Sequence, residues 1–345
     1  MLYERLPENK VRCELCGRRC SIPEGSVGFC KVRRNLSGKL VSLVYGKACS
    51  AIVDPIEKKP LAHFHPGSLV LSIATVGCDF RCRFCDNWAI SQEKDITGQD
   101  LPPEKVVALA EEYDCQGISY TYTEPTIFFE YAYDTAKLAH EHGLFNTFVT
   151  NGYMTPEAVE TVAPYLDAAT VDFKGGGDPK FYREVCLVPS VDPIYECLSK
   201  MRKKDIHIEV TNLVVSKYGE SMDSIRKLAA WIRDNLGKDV PLHLLRFHPD
   251  YQLMDVPSTP IKTIEEACET AKKEGLNYVY AGNVPGHRCE NTFCPKCGEL
   301  VVERSGFDIN RWRLKEGNTC PKCGEKIAIE GAYKPRGGLY HYSVI

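Results

Sequence analysis

The chain has 345 residues, 43% of them hydrophobic, and a formal net charge of −3. That length suggests about two domains with a sizeable core, and the composition excludes general disorder. Seventeen cysteines exclude an ordinary thiol inventory unless the thiols hold metals.

The first expected module is 1–50. Cys13, Cys16, Cys20 and Cys30 stand there as C-x2-C-x3-C-x9-C, interleaved with Arg12, Arg18, Arg19, Arg33 and Arg34. Short cysteine spacing suits chelation, whereas a disulfide framework belongs to small secreted domains. Zinc and a second iron–sulfur cluster both remain open for this quartet. The opening MLYERLPENK has no apolar core of a signal peptide, and the longest apolar run, LVLSIATV, is far below the roughly 18 residues of a membrane span. The expectation is a reducing, cytosolic compartment and no membrane. Residues 1–47 carry +6 and residues 286–345 carry +3, leaving −12 between them. A whole-chain nucleic-acid binder is disfavoured, but a basic end suits docking to an acidic protein or RNA.

The second expected domain, 51–285, alternates strand and helix patterns. LVLSIATVG (69–77) reads as a buried strand. Directly after it, GCDFRCRFCDNW carries Cys78-x3-Cys82-x2-Cys85. A helix is expected over 103–113, a strand over 117–125 and a helix over 127–142. Strand 144–152, helix 155–166 and strand 168–176 follow, then helical stretches around 179–187 and 192–204. Strand 206–215, helix 223–236, strand 241–249, helix 263–275 and strand 277–285 complete the series. Such alternation implies right-handed βαβ units, and six or seven of them fit a partial (β/α)6-type parallel barrel. In barrels the strand C-terminal ends hold the site. Glu124, Thr150, Asn151, Asp172, Lys174, Asn212 and His248 all fall at or near predicted strand ends.

The third expected module, 286–345, repeats CPKCGE at 294–299 and 320–325. Cys294, Cys297, Cys320 and Cys323 at that spacing read as a closed tetrahedral zinc site in a ribbon or rubredoxin-like module, iron being the competitor. Sixty residues would not readily bury a stable core alone, and a metal supplies folding energy. Cys289 is left over as a bystander.

Three thiolates within eight residues suit one metal centre, and a 4Fe–4S cube on three cysteines leaves one iron open. The trio, with Phe84 before its last cysteine, resembles the radical S-adenosylmethionine superfamily over residues 69–285. That resemblance implies a 4Fe–4S cluster on Cys78, Cys82 and Cys85, reductive cleavage of S-adenosylmethionine, and a 5′-deoxyadenosyl radical that abstracts hydrogen from substrate. Within it, YTEP (122–125), TNG (150–152) and Asp172-Phe173-Lys174 resemble the glycyl-radical-enzyme activases, such as pyruvate formate-lyase activating enzyme. There Glu124 would take the methionyl ammonium, and Asp172 and Lys174 would face the same ligand. The chain departs from that branch at Tyr122 and Thr123, where it has two glycines, and at Val149, where it has Asp. Phe84, Tyr122, Thr123, Thr150, Asn151, Asn212 and His248 complete the implied cofactor-binding set. The N-terminal cysteine pattern, KKPLAHFHPG (58–67) and YAGNVPG (280–286) together resemble the radical enzymes of the AmmeMemoRadiSam system. The implied partners are a flavodoxin- or ferredoxin-type electron donor, AMMECR and Memo family proteins, and a protein or peptide substrate. The rival readings are a radical enzyme acting on RNA or a small molecule, and a non-catalytic iron–sulfur and zinc scaffold or nucleic-acid-binding protein.

Overall fold

The computed structural model describes residues 1–336 and 342–345, so 337–341 of the expected module 286–345 lie outside the described residues. The N-terminal segment forms β1 (Tyr3–Arg5), β2 (Val11–Cys13) and β3 (Ser21–Ile22) in one small antiparallel sheet. β4 (Arg33–Leu36) and β5 (Lys39–Ser42) form a hairpin, and β6 (Lys47–Ala48) leads into β7 (Ser50–Pro55). Val11, Leu15, Ile22 and Val32 bury into the same apolar core as the main sheet.

The central elements run in order. They are β8 (Leu69–Ala74), α1 (Trp88–Ser91), β9 (Gln99–Asp100), α2 (Pro103–Glu112), β10 (Gly117–Tyr120), α3 (Phe129–Glu141), β11 (Phe145–Thr150), α4 (Pro156–Val162) and β12 (Ala168–Lys174). Then come α5 (Pro179–Phe181), α6 (Asp192–Lys203), β13 (His207–Val214), α7 (Met222–Asn235), β14 (Leu242–Arg246), α8 (Ile261–Lys273) and β15 (Val279–Gly282). β8 and β10 to β15 pair in parallel, neighbour by neighbour in chain order apart from β9. Their apolar runs are buried on both faces, as parallel strands covered by crossover helices require. The helices show why they start where they do. Proline occupies the first turn of α2 and α4, where its missing N–H is no loss, and Thr155 Oγ1 accepts from the Ala158 amide to cap α4.

Two antiparallel strands extend the sheet beyond β8, namely β7 and then β19 (Tyr342–Ser343). The C-terminal segment adds β16 (Thr292–Phe293), β17 (Leu300–Ser305) and β18 (Asp308–Trp312), antiparallel and built on a separate core of Val301, Val302, Leu314 and Ile327. Residues 56–66 join this module to the sheet. The His63 amide donates to Glu209 Oε1 at 2.7 Å, and His243 Nε2 meets Glu209 Oε2 at 2.7 Å. Arg304 Nη2 donates to the Ala62 carbonyl at 3.1 Å. Among the described residues no helix is long and apolar enough to cross a membrane.

Candidate functional site

A cavity of about 660 Å³ opens where the parallel strands end. Cys78, Cys82 and Cys85 line it from the loop after β8. Phe84, Tyr122, Thr123, Glu124, Thr150, Asn151, Asp172, Lys174 and His248 line it as well. The loop carrying the trio packs tightly on the N-terminal module. A Cβ built on Gly77, at φ +98, would meet the Cys30 carbonyl oxygen at 2.9 Å and Val32 at 2.7 Å. Glycine is therefore required immediately before Cys78.

Glu124 is 2% exposed and sits just past β10. Its Oε1 accepts from the Thr126 amide (3.1 Å), Thr126 Oγ1 (2.5 Å) and Thr150 Oγ1 (2.8 Å), and its Oε2 accepts from the Asn151 amide (2.8 Å). The end of β11 thus fixes a side chain delivered by β10. A carboxylate has about four acceptor sites, so Oε2, with one bond, retains a position for a further donor. Burial, and then the nearby Asp79 carboxyl, raise the Glu124 pKa to about 7. A cationic ligand would return it to the charged form.

Asp172 and Lys174 share one face of β12, as residues two apart on a strand must. Lys174 Nζ lies 3.7 Å from Asp172 Oδ2, and Asp172 Oδ1 accepts from Thr211 Oγ1 at 2.6 Å. Burial opposes the charge on Lys174, but Asp172 beside it leaves its pKa raised. Tyr122 occupies the left-handed region, at φ 61, a conformation that favours glycine. Its hydroxyl donates to Asp54, which also takes Lys58 Nζ at 2.9 Å and Lys59 Nζ at 2.7 Å. Thr123 Oγ1 donates to the Thr75 carbonyl at 2.7 Å, pinning its loop to the end of β8. Phe84 stacks on Phe181 with centroids 5.9 Å apart, and His248 is exposed at the cavity wall.

Asn212 corrects the expectation. Its neighbours Thr211 and Leu213 line the cavity, so strand alternation turns Asn212 to the other face. There its Oδ1 accepts from the Gly176 amide at 2.7 Å, which makes it a buried support of the turn after β12.

Three further residues near the site stand outside the expected site set. Asp79 is fully buried and accepts from Asn151 Nδ2 at 2.7 Å. Lys59 is 1% exposed and neutralised by Asp54. Cys186 lies against Cys82, and that contact, then burial, raises the Cys82 thiol well above its ordinary value. Asp79 had a local signal in its place beside Cys78, and Lys59 in the KKPLAHFHPG segment (58–67).

The trio's chemistry fits an iron–sulfur cluster. All three thiols are free and face one cavity with polar groups opposite them. Among the described residues only Cys294, Cys297, Cys320 and Cys323 bring their ligand atoms within 4.8 Å of one another, the reach of a single ion. The trio is set wider, as a polynuclear group requires. In the C-terminal quartet Cys294 and Cys323 sulfurs lie 3.6 Å apart, and Cys297 and Cys320 sulfurs 3.7 Å. A tetrahedral ion with arms of about 2.3 Å has edges of about 3.8 Å. Matched turns produce this spacing: the Gly298 amide donates to the Cys294 carbonyl at 2.9 Å, and the Gly324 amide to the Cys320 carbonyl at 3.0 Å.

The chain was compared with known families, proteins and structures. The Radical SAM superfamily model matches residues 72–232, which include the trio, Glu124 and the Asp172/Lys174 pair. An uncharacterized protein of Methanocaldococcus jannaschii is 49% identical over 310 residues, covering 89% of this chain and 92% of that one. A candidate glycyl-radical enzyme activating enzyme from the same organism is 23% identical over 164 residues, 47% of this chain and 62% of that one. The crystal structure of a radical SAM methyltransferase from Sphaerobacter thermophilus aligns with a TM-score of 0.48 and 14% identity, over 62% of this chain and 67% of that one. The chain belongs to the radical SAM superfamily.

Proposed function

We propose that this protein is a radical enzyme whose parallel sheet curls into the partial barrel expected of such a site. Cys78, Cys82 and Cys85 would hold a 4Fe–4S cluster and leave one iron free for S-adenosylmethionine. Bound there, the cluster supplies the electron that splits S-adenosylmethionine into methionine and a 5′-deoxyadenosyl radical. The chain's own part is to bind, orient and exclude water. Glu124 Oε2 offers its remaining acceptor site to the methionyl ammonium, held in place by Thr126, Thr150 and the Asn151 amide. Lys174 and Asp172 offer a cation and an anion to the same zwitterion. Tyr122, Thr123, Phe84 and His248 line the same cavity and would complete the cofactor's walls. The observation that carries the reading is the convergence of three thiols, Glu124 and the Asp172/Lys174 pair on one cavity.

Hydrogen abstraction would fall on a protein or peptide, as the activase-like motifs suggest. A second reading, a small-molecule substrate, draws on the cavity itself. Its volume lies in the range of small-ligand sites, and Arg304, Gly306 and Phe307 of the C-terminal module close part of its wall. The C-terminal quartet would hold zinc as a structural ion. The test is anaerobic reconstitution with iron and sulfide, then dithionite and S-adenosylmethionine. Formation of 5′-deoxyadenosine supports the proposal, and none above the Cys82→Ala background rejects it. Deuterium carried from labelled peptide or small-molecule candidates into 5′-deoxyadenosine separates the two substrate readings.

A further inference from the structure

Cys13, Cys16, Cys20 and Cys30 come from β2, the β2–β3 connection and the loop before β4, yet all four line a single small cavity. Their arrangement differs from that of the C-terminal quartet in two ways. Among the described residues, only the C-terminal quartet places all its sulfurs within 4.8 Å of one another. The N-terminal four therefore surround a space wider than one tetrahedral ion, whose edges are about 3.8 Å. The second difference is the company they keep. Arg18 and Arg33 line the same cavity, and Arg33 is 2% exposed and ion-paired with Glu130. Arg18, partly buried and without a carboxylate partner of its own among the described contacts, offers its charge to an anionic centre, whereas the C-terminal quartet sits in a separate module with lysines at its rim.

The cavity also reaches the catalytic loop. Asp79, the residue after Cys78, lines it. Arg18 Nε donates to the Asp79 carbonyl, and Arg81 bridges the Cys78 carbonyl and the Phe29 carbonyl, each at 2.6 Å. Both guanidiniums lie over the Phe29 ring, at 3.5 and 4.5 Å. The N-terminal centre is thus built into the shared core and bonded to the loop that carries the trio, where a merely local knuckle would need neither. We propose that Cys13, Cys16, Cys20 and Cys30 ligate a second iron–sulfur cluster of the 4Fe–4S type, rather than zinc.

The proposal rests on the radical enzyme reading only for the iron assigned to the trio, and the test separates the two. The full-length protein carrying Cys78→Ala, Cys82→Ala and Cys85→Ala together is reconstituted anaerobically with iron and sulfide. We expect it to keep about four irons and four sulfides per chain and the absorbance of a cluster with complete cysteine ligation. Adding Cys16→Ala and Cys20→Ala should remove that iron while the C-terminal zinc stays. A trio variant without iron, or with one zinc beyond that of the C-terminal quartet, overturns the proposal. Wild-type protein supplies a measure independent of variant folding. About eight irons per chain by analysis and Mössbauer spectroscopy supports two clusters, and about four irons with two zincs contradicts the second.

Discussion

The cysteine trio and the C-terminal quartet use the same thiol in opposite ways. Two CPKCGE turns draw Cys294, Cys297, Cys320 and Cys323 into a knot with sulfurs 3.6 and 3.7 Å apart. Cys78, Cys82 and Cys85 stand wider apart and face Glu124 and Lys174 across a cavity. A closed set of four leaves an ion nothing to do but fold the chain, whereas a set of three leaves a coordination position for chemistry. On the proposed function, cysteine number and spacing separate the structural set from the catalytic one, and neither the residue type nor its burial does.

The largest effect should come from breaking the open side. Cys82→Ala would remove a proposed cluster ligand, so 5′-deoxyadenosine production should fall to background while the fold and the metal of the C-terminal quartet persist. Circular dichroism and zinc analysis check the latter. Next, breaking the closed side with Cys294→Ser should abolish metal binding there, because structural zinc in such modules is worth about 10–16 kcal/mol at neutral pH. Hydrogen exchange should rise across 292–330 and stay low in β10 to β13. If the whole protein unfolded instead, the two regions would not be separable.

Within the open site, Glu124→Gln keeps shape but removes charge. A hydrogen bond to a charged group is worth about 1.5–3 kcal/mol, so kcat/KM for S-adenosylmethionine should fall about 10- to 100-fold, chiefly through KM. An unchanged KM would remove Glu124 from the binding set.

The link between the two regions titrates. Burial disfavours the charge on His207, but the hydrogen bonds it donates to Glu209 and Glu330 outweigh this and raise its pKa to about 9. The unfolded value is about 6.5, so this stabilisation is full below pH 6.5 and is lost as pH rises through about 9. Denaturation midpoints measured from pH 6 to pH 10 should decline over that window in wild type, and less in Glu330→Gln. Last and smallest, Asn212→Ala should cost about 1 kcal/mol of stability through the unpaired Gly176 amide, and leave S-adenosylmethionine cleavage within about twofold. A large loss of cleavage would return Asn212 to the cavity.

Much of this architecture was legible in the chain. Apolar runs ending in polar residues located the parallel strands, and the 155–166 pattern became α4 because a threonine cap and proline fix its start. The edge strands β7 and β19 were not legible, since their pairing joins segments nearly three hundred residues apart. The site divided in the same manner. Cys78, Glu124, Asp172 and Lys174 lie in short motifs. Asn212 was misplaced because its phase comes from register: Asp172 pairs with Thr211 and Lys174 with Leu213, so the cavity face of β13 is the Thr211 face. The Asp79–Asn151 contact depends on packing between loops distant in the chain, whereas the Asp54–Lys59 pair is set by the turn that follows β7.

The most direct measurement of the central claim is the electron paramagnetic resonance spectrum of the dithionite-reduced protein with and without S-adenosylmethionine. To isolate the trio from any other iron, wild type is compared with Cys82→Ala. The account predicts a cluster signal that is lost in the variant and changes shape when S-adenosylmethionine is added. A trio signal that does not respond to S-adenosylmethionine would contradict it.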